Sequence, residues 1–321
     1  MSKKINTDKM LVFPNIVNIN VLTGKCMCFC GHCPLGRTSF ELRPHRFPYS
    51  EVDIALFYKV VNEIYFNNPA SVLRIHSVGE PLYWPKLIDA VRYSKEKQVK
   101  TWMFTCAVTN DLDLLSDICE NVDIIEVSVN STDEKDYCYT KGINSFKLVE
   151  ENLYYMRKYV DTHQLTTRLI ASRVQSENKI RDDEFIDYWK RNGVVDDAFV
   201  RSYHTYNDII PDISSNSLIK KEPCLVHWAR LNVDTNGDVF ICFNELFKEK
   251  RNVEFILGNL NNQNIKSIWN GEKLNLIREA ELSGEYSKIN FCHKLPCEDC
   301  KTCQPINGNR DTSEKQVIKI N

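Results

Sequence analysis

Cysteines are the residues of this 321-residue chain whose type and spacing most clearly indicate chemistry. Four of the 13 lie close together near the start: Cys26, Cys28, Cys30 and Cys33. Another four lie near the end: Cys292, Cys297, Cys300 and Cys303. Disulfides rarely persist in a reducing cytosol, whereas thiolates are strong ligands of zinc and of iron–sulfur clusters. The two dense groups therefore predict two metal centres.

The first group contains two overlapping patterns. The tetrapeptide CGHC at 30–33 has the C-x-x-C spacing of thiol–disulfide oxidoreductases, in which the pair follows a strand and opens a helix. Here Pro34 follows at once, and the residues up to 48 have the composition of a loop. Cys26, Cys30 and Cys33 instead form C-x3-C-x2-C, a loop that can bind one cubane cluster through three thiolates. A redox dithiol and a zinc site remain the alternatives.

Composition and charge narrow the class of protein. Hydrophobic residues make up 43% of the chain, and 41 basic against 43 acidic residues give a formal net charge of −2. This balance predicts no broad nucleic-acid-binding surface. No apolar stretch approaches the roughly 20 residues needed to span a membrane, and the first residues have no apolar signal-peptide region. We therefore expect a cytoplasmic protein with one large and one smaller domain.

Apolar residues alternate between strand-like and helix-like spacing as far as residue 206. Six segments have strand-like patterns: 15–22, 72–78, 101–108, 124–130, 165–174 and 197–204. The segments between them have helical spacing, as at 49–66, where Ser50 is the predicted N-cap. Strands that alternate with helices form a parallel sheet, here open or curled into a partial barrel. The active site of such an α/β fold lies at the carboxyl ends of the strands.

The alternation ends after residue 206, where a polar, turn-rich segment predicts a linker over 207–223. Residues 230–242 have the pattern of a hairpin with Asn236-Gly237 at its turn. The tail that follows is rich in cysteine and poor in regular structure. We therefore expect two domains, 1–206 and 224–321, of which the second depends on a metal to stay folded.

The stretch NINVLTGKCMCFCGHCPLG at 18–36 resembles the first strand and cluster loop of the radical S-adenosylmethionine (SAM) enzymes. The resemblance implies a partial (β/α)6 barrel in which Cys26, Cys30 and Cys33 hold a 4Fe–4S cluster that binds SAM. After the second strand, the turn VGEP resembles the family's Gly-Gly-Glu-Pro turn, with Val in place of the first Gly. Its members Gly79, Glu80 and Pro81 are thereby expected to bind the amino group of SAM.

The same resemblance implies further contacts with SAM. Ser128 and Asn130 lie at the end of the fourth predicted strand, where the family often places polar residues on the ribose. Lys141 takes the part of the basic residue that commonly binds the SAM carboxylate. His32, just before the third cluster ligand, is expected to pack near the adenine.

Cys224, Gly237 and Cys242 form C-x12-G-x4-C, which resembles the entry to SPASM and twitch domains, the carriers of auxiliary iron–sulfur clusters. A full SPASM domain has seven motif cysteines, whereas this chain has six after the barrel, in a tail spaced C-x4-C-x2-C-x2-C. One auxiliary 4Fe–4S cluster is therefore expected rather than two. Its expected ligands are Cys224, Cys242, Cys297 and Cys300, with Cys303 as the substitute. A structural zinc site is the alternative.

The resemblance implies that reduced cluster and SAM generate a 5′-deoxyadenosyl radical, which abstracts hydrogen from a substrate carbon. An electron donor such as flavodoxin or ferredoxin is the implied partner. An auxiliary cluster that accepts an electron favours oxidation, whereas a thiol that donates hydrogen gives epimerisation. Cys106 and Cys138 are the candidate hydrogen donors, since both follow predicted strands and belong to no cluster motif.

The sequence constrains the identity of the substrate less than it constrains the cofactors. Many relatives that modify peptides carry a leader-peptide-binding domain, and the 25 residues before Cys26 and 18 after Cys303 leave no room for one. We therefore expect oxidation of a small polar metabolite, such as a sugar or an aminocyclitol, or of a short peptide. Epimerisation or crosslinking of a ribosomally made peptide is the alternative. A non-enzymatic iron–sulfur electron carrier is the alternative of a different class.

Overall fold

The computed structural model describes residues 12–213, 223–289, 294–298 and 300. Its strands, in chain order, are β1 (Ile16–Thr23), β2 (Ser50–Glu51), β3 (Val72–Val78), β4 (Thr101–Thr105), β5 (Ile124–Val127), β6 (Arg168–Val174), β7 (Asp197–Arg201), β8 (Arg230–Val233), β9 (Asp238–Phe240) and β10 (Ile256–Asn259). Its α-helices are α1 (Arg43–Arg46), α2 (Ile54–Asn67), α3 (Leu87–Glu96), α4 (Leu112–Asn121), α5 (Glu134–Lys141), α6 (Phe146–Thr162), α7 (Lys179–Arg191), α8 (Leu225–Ala229), α9 (Ile265–Trp269) and α10 (Glu272–Ser283).

All ten strands belong to one sheet, in the order β10-β9-β8-β1-β3-β4-β5-β6-β7, with β2 paired to β1. Strands β1 and β3 to β7 are parallel to their neighbours, as the alternating pattern predicts. The sheet does not close into a full barrel, which confirms the predicted α/β class and partial barrel. The predicted hairpin forms from β8 and β9, with the Gly237 N–H bonded to the carbonyl of Asp234 at its turn.

Strand β8 pairs in parallel with β1, so the C-terminal region extends the N-terminal sheet directly. Two side-chain bonds reinforce this junction: Asn18 Nδ2 donates to Asn232 Oδ1, and Asn20 Nδ2 donates to Asp234 Oδ1, both at 2.8 Å. The predicted linker 207–223 lies partly outside the described residues. The domain boundaries therefore stay a prediction.

The two faces of the sheet differ because successive side chains of a strand point to opposite sides. Val17 and Ile19 of β1 lie on the face that packs against the helices, within the main hydrophobic core. The opposite face carries a separate apolar cluster, which we call the floor: Ile16, Val72, Trp102, Ile124, Ile170 and Phe199. Two residues further along β1, β3 and β6 the same face carries the polar side chains of Asn18, Arg74 and Ser172. On β4 the next residue on this face is Phe104, which packs against the floor.

The prediction that Ser50 caps the first long helix is wrong. Ser50 belongs to β2, which pairs with β1, whereas Asp53 has the extended backbone of an N-cap and its carboxylate accepts the Ala55 N–H at 2.7 Å. The short strand therefore delays the start of α2 to Ile54. In the part of the chain that the structure describes, no helix is both long and apolar enough to cross a membrane.

Candidate active site

The cysteine loop, residues 26–36, follows β1 and folds back so that Gly36 lies against the backbone of Cys30. Cys30 is buried, and Cys26 and Cys33 are half-buried. The Cys33 N–H donates to the Cys30 carbonyl at 3.1 Å, and the Cys28 N–H lies 3.4 Å from Cys26 Sγ. Cys26, Cys30 and Cys33 all line one cavity, and we call them the N-terminal thiols.

Two close approaches determine the shape of this loop. A Cβ at Gly36 would lie 2.5 Å from both the N and the O of Cys30, so only glycine allows the loop to fold back on itself. A Cβ at Gly79 would lie 2.6 Å from the Lys25 carbonyl. The turn at 79–81 therefore packs directly against the start of the cysteine loop.

Arg43 binds the outer side of the cysteine loop, and the sequence analysis did not identify it. Its guanidinium is 3% exposed and donates to the carbonyls of Cys26, Cys28 and Thr38 at 2.5, 2.7 and 3.1 Å. It also stacks 4.3 Å from the ring centroid of Phe29. Because Arg43 binds these three carbonyls, the backbone of the loop is fixed with the N-terminal thiols lining the cavity. No motif spacing marks Arg43, since its partners are backbone atoms.

The electrostatic surroundings favour thiolate at the centre of the loop. The hydrogen bond from Cys28 holds the pKa of Cys30 well below its usual value, against the opposing effect of burial. The buried Lys141 ammonium contributes in the same direction. The pKa of Lys141 is in turn raised, because the nearby thiolates outweigh the lowering effect of burial. Burial raises the pKa of Cys33 to about 12, so this thiol gives up its proton only on binding iron. Three cysteine sulfurs on the wall of one cavity fit an iron–sulfur cluster.

The Gly79-Glu80-Pro81 turn lines the same cavity. The Glu80 carboxylate is buried; Oε1 accepts from the Thr105 hydroxyl at 2.6 Å and the Leu82 N–H at 3.2 Å. Oε2 accepts the Cys106 N–H at 2.7 Å. A carboxylate has about four acceptor positions, so Oε2 keeps one for a further donor such as an ammonium.

The residues predicted to bind the rest of SAM are brought together only in part. Ser128, Lys141 and His32 line the cavity, and Lys141 Nζ lies 3.1 Å from Ser128 Oγ. Asn130 is not among the lining residues. Its backbone has φ of 64°, and its amide accepts the Val174 N–H at 2.7 Å and donates to Ser128 Oγ at 2.9 Å. Asn130 thus orients Ser128.

The two candidate hydrogen donors lie in different environments. Cys106 is 6% exposed, directly after β4, and lines the cavity. A hydrogen bond with Cys28 lowers the pKa of Cys106, but burial together with the charges of Glu80 and Cys26 raises the pKa to about 11. Cys138 lies on α5 with an exposed side chain and does not line the cavity. The structure therefore brings only Cys106 to the site.

The second thiol group, called here the auxiliary thiols, comprises Cys224, Cys242, Cys297 and Cys300. Burial raises the pKa of Cys242 well above its usual value, and charge on Cys297, Cys300 and Cys224 raises it further, which places the four sulfurs in one electrostatic neighbourhood. A shared metal group relieves this repulsion, so the donor set fits a cluster. Cys303, the predicted substitute, lies outside the described residues.

His227 and Glu281 adjoin the auxiliary thiols, and the sequence analysis did not identify them. Both side chains are buried, and His227 Nδ1 lies 2.7 Å from Glu281 Oε1. Glu281 also accepts the Cys224 N–H at 3.2 Å and the Trp228 indole N–H at 2.8 Å. Histidine three residues after a ligating cysteine is the only sequence signal that marked this pair.

One cavity of about 340 Å³ connects the two thiol groups. The N-terminal thiols line it, and so do Cys224, Cys242 and Cys300 of the auxiliary thiols. Among the residues that the structure describes, no three His, Cys, Asp or Glu side chains are grouped tightly enough to hold a single metal ion.

An open parallel sheet with a cysteine loop after its first strand and a second thiol group at its edge defines an iron–sulfur enzyme of the α/β barrel type. A model of the radical SAM superfamily matches residues 20–209, more than half of the chain, and the chain belongs to that superfamily. A model of the SPASM iron–sulfur cluster-binding domain matches residues 224–304. These matches confirm the predicted family and imply SAM, a 4Fe–4S cluster and auxiliary iron–sulfur clusters as cofactors.

Solved structures share the fold at low sequence identity. Streptococcus suis SuiB bound to precursor peptide SuiA is 14% identical with a TM-score of 0.64, and the match covers 83% of this chain and 66% of SuiB. BtrN in complex with AdoMet and 2-DOIA is 17% identical with a TM-score of 0.53, covering 89% and 92%. The enzyme anSMEcpe with AdoMet and the Cp18Cys peptide is 12% identical with a TM-score of 0.58, covering 89% and 86%. No curated protein sequence matches the chain.

Proposed function

We propose that this radical SAM enzyme is an oxidoreductase that dehydrogenates a small polar metabolite, such as a sugar or an aminocyclitol. The observation that carries the proposal is the single cavity lined by both thiol groups. When bound, a cluster on the N-terminal thiols would supply the electron that splits SAM to a 5′-deoxyadenosyl radical, and a cluster on the auxiliary thiols would accept the electron that substrate oxidation releases. The chain's own residues bind the reactants between these two sites.

SAM binding rests on four side chains in this proposal. Glu80 Oε2, with one acceptor position left, receives the amino group, and the Lys141 ammonium pairs with the carboxylate. Ser128 is oriented by Asn130 and contacts the ribose, while His32 packs on the adenine. A reductant such as flavodoxin or ferredoxin delivers the first electron, and the reaction runs in the cytoplasm.

The remaining wall of the cavity supports a small polar substrate. Above the apolar floor, the lining includes Asn18, Ser172 and Asn244 together with charged side chains. The floor excludes water from beneath the site, which protects a reactive substrate radical. Among the solved structures with this fold, BtrN is in complex with AdoMet and 2-DOIA.

A second candidate is epimerisation of a peptide, supported by the Cys106 thiol at the cavity wall. In that reaction a substrate radical takes hydrogen from a thiol instead of losing an electron. The non-enzymatic electron carrier does not fit, because radical SAM membership implies an enzyme.

The test combines SAM cleavage with variants of the auxiliary thiols. Reconstituted protein incubated anaerobically with SAM and dithionite is expected to release 5′-deoxyadenosine, and a low-molecular-weight metabolite pool is expected to yield a product two hydrogens lighter. Cys242→Ala is expected to keep 5′-deoxyadenosine release but lose the oxidised product. Full product yield from Cys242→Ala, with unchanged iron content, would contradict the oxidation. Absence of 5′-deoxyadenosine from the wild type would contradict the SAM chemistry itself.

A further inference from the structure

His76 occupies the part of the cavity that lies between the two cofactor regions. It is near the end of β3, three residues before Gly79 of the SAM-binding turn. The edge of its ring packs against Phe243, which directly follows Cys242, at 4.8 Å between centroids and 67° between planes. A group bound to this imidazole is therefore adjacent to both the SAM-binding turn and the auxiliary thiols.

The imidazole is buried without hydrogen-bond partners. His76 is 8% exposed, it lines the cavity, and neither of its ring nitrogens has a partner in the structure. The neighbouring Ser77 also lines the cavity with an unpartnered hydroxyl. Buried polar groups are almost always hydrogen-bonded, because an unpaired one costs the free energy of its desolvation. His76 shares the face of β3 that carries Val72 and Arg74, and its unpartnered imidazole on the cavity wall indicates a ligand that supplies the missing partners.

The chemistry of these groups narrows the ligand class. Burial and the nearby Arg74 lower the pKa of His76 to about 3, so the imidazole is neutral at physiological pH. A neutral imidazole has one N–H donor and one acceptor nitrogen, and a serine hydroxyl both donates and accepts. A substrate hydroxyl has the same dual character. Neutral groups of this kind suit the hydroxyls of a polyol better than an ammonium or an isolated apolar group.

We propose that His76 is a substrate-binding residue that holds a hydroxyl group of a polyhydroxylated substrate between SAM and the auxiliary thiols. This inference rests on the proposed function, because it takes the cavity as the substrate site. To the proposed function it adds His76 as the residue that recognises the substrate and a hydroxyl as the substrate group that His76 binds.

The experiment measures binding and stability separately from SAM cleavage. The reconstituted, SAM-loaded protein is titrated calorimetrically with myo-inositol, glucosamine and tetra-alanine, and 5′-deoxyadenosine release without substrate is measured in parallel. We expect inositol or glucosamine to bind and His76→Leu to weaken that binding about tenfold, since two hydrogen bonds are lost. His76→Gln, which keeps a donor and an acceptor, is expected to recover part of the affinity. His163→Leu, at the exposed end of α6, is the matched control and leaves binding unchanged.

Thermal unfolding distinguishes a ligand-binding role from a structural one. Removal of two unsatisfied nitrogens is expected to leave the unfolding midpoint of His76→Leu equal to or above that of the wild type without ligand. A lower midpoint would assign His76 a structural role and overturn the proposal. So would unchanged affinity in His76→Leu, or binding of tetra-alanine but of neither polyol. Because SAM cleavage without substrate is scored independently, its loss in the wild type would refute the proposed function and not this residue assignment.

Discussion

His227 Nε2 lies 3.7 Å from Cys297 Sγ, while the other ring nitrogen of His227 contacts the Glu281 carboxylate. Glu281 accepts in addition the backbone N–H of Cys224. A buried carboxylate and imidazole therefore connect two of the auxiliary thiols that are far apart in the chain. Such partners orient metal ligands, and hydrogen bonds to cluster sulfurs influence the reduction potential.

We predict that His227→Leu shifts the midpoint potential of the auxiliary cluster to a more negative value. The reason is that Cys297 loses its hydrogen-bond partner. The potential of the N-terminal cluster is expected to stay unchanged and serves as the internal control. His227→Gln should recover part of the shift. Potentials are read by redox titration monitored by electron paramagnetic resonance, and an unchanged auxiliary signal in His227→Leu would refute the role.

Replacing the N-terminal thiols tests the first cluster. The variant with Cys26, Cys30 and Cys33 all changed to Ala is expected to lose SAM cleavage and about half of the roughly eight irons of two 4Fe–4S clusters. Iron per chain and 5′-deoxyadenosine are the measurements. Cys138→Ala is the control, since Cys138 is exposed on α5 and does not line the cavity. Release of 5′-deoxyadenosine by the triple variant would show the cluster assignment to be wrong.

Arg43 is expected to be needed for the shape of the cysteine loop. Arg43→Met removes a buried cation from three carbonyls, for which we expect a loss of about 2–3 kcal/mol in unfolding free energy and poor iron uptake. Urea unfolding and iron content measure the two effects. Arg46→Met is the control, because the half-exposed Arg46 makes a 3.7 Å surface pair with Glu249 that contributes about 0.5 kcal/mol or less. Equal losses in both variants would contradict the special role of Arg43.

Cys106→Ala separates oxidation from epimerisation. A thiol with a raised pKa keeps its S–H and can donate hydrogen to a carbon radical, whereas alanine cannot. If the enzyme oxidises its substrate, the variant should keep most of its product yield. The core residue Cys119, which is fully buried on α4, provides the matched Cys119→Ala control. Loss of product in Cys106→Ala alone, with solvent deuterium incorporated by the wild type, would favour epimerisation.

His76 also predicts how stability depends on pH. The unfolded chain binds a proton at His76 near its ordinary pKa of 6.5, whereas the folded protein does so only near pH 3. Stability from this group is therefore complete above pH 6.5 and falls as the pH drops towards 3, by at most about 1.4 kcal/mol per pH unit. Urea unfolding of the cluster-loaded protein between pH 7 and 5 is expected to show a shallower dependence of stability on pH in His76→Leu. Parallel curves for variant and wild type would contradict the neutral buried imidazole.

The cysteine motifs, the alternation of strands and helices, and the hairpin at Asn236-Gly237 are all local, and the sequence alone determined them. Ligand spacing within one loop and side-chain periodicity along one strand need no knowledge of distant contacts. For the same reason Cys26, Cys30 and Cys33 were identified as a group, and the six parallel strands were found at the correct places.

Only the tertiary structure decided that β8 joins the sheet beside β1 and brings Cys242 to the cavity of the N-terminal thiols. The bond from Asn18 to Asn232 spans 214 positions, and no periodicity reports which strand covers an open sheet edge. Arg43, His76 and His227 escaped the sequence analysis for a related reason. Their roles depend on burial and on partners supplied by other segments, and these exist only once the chain has folded.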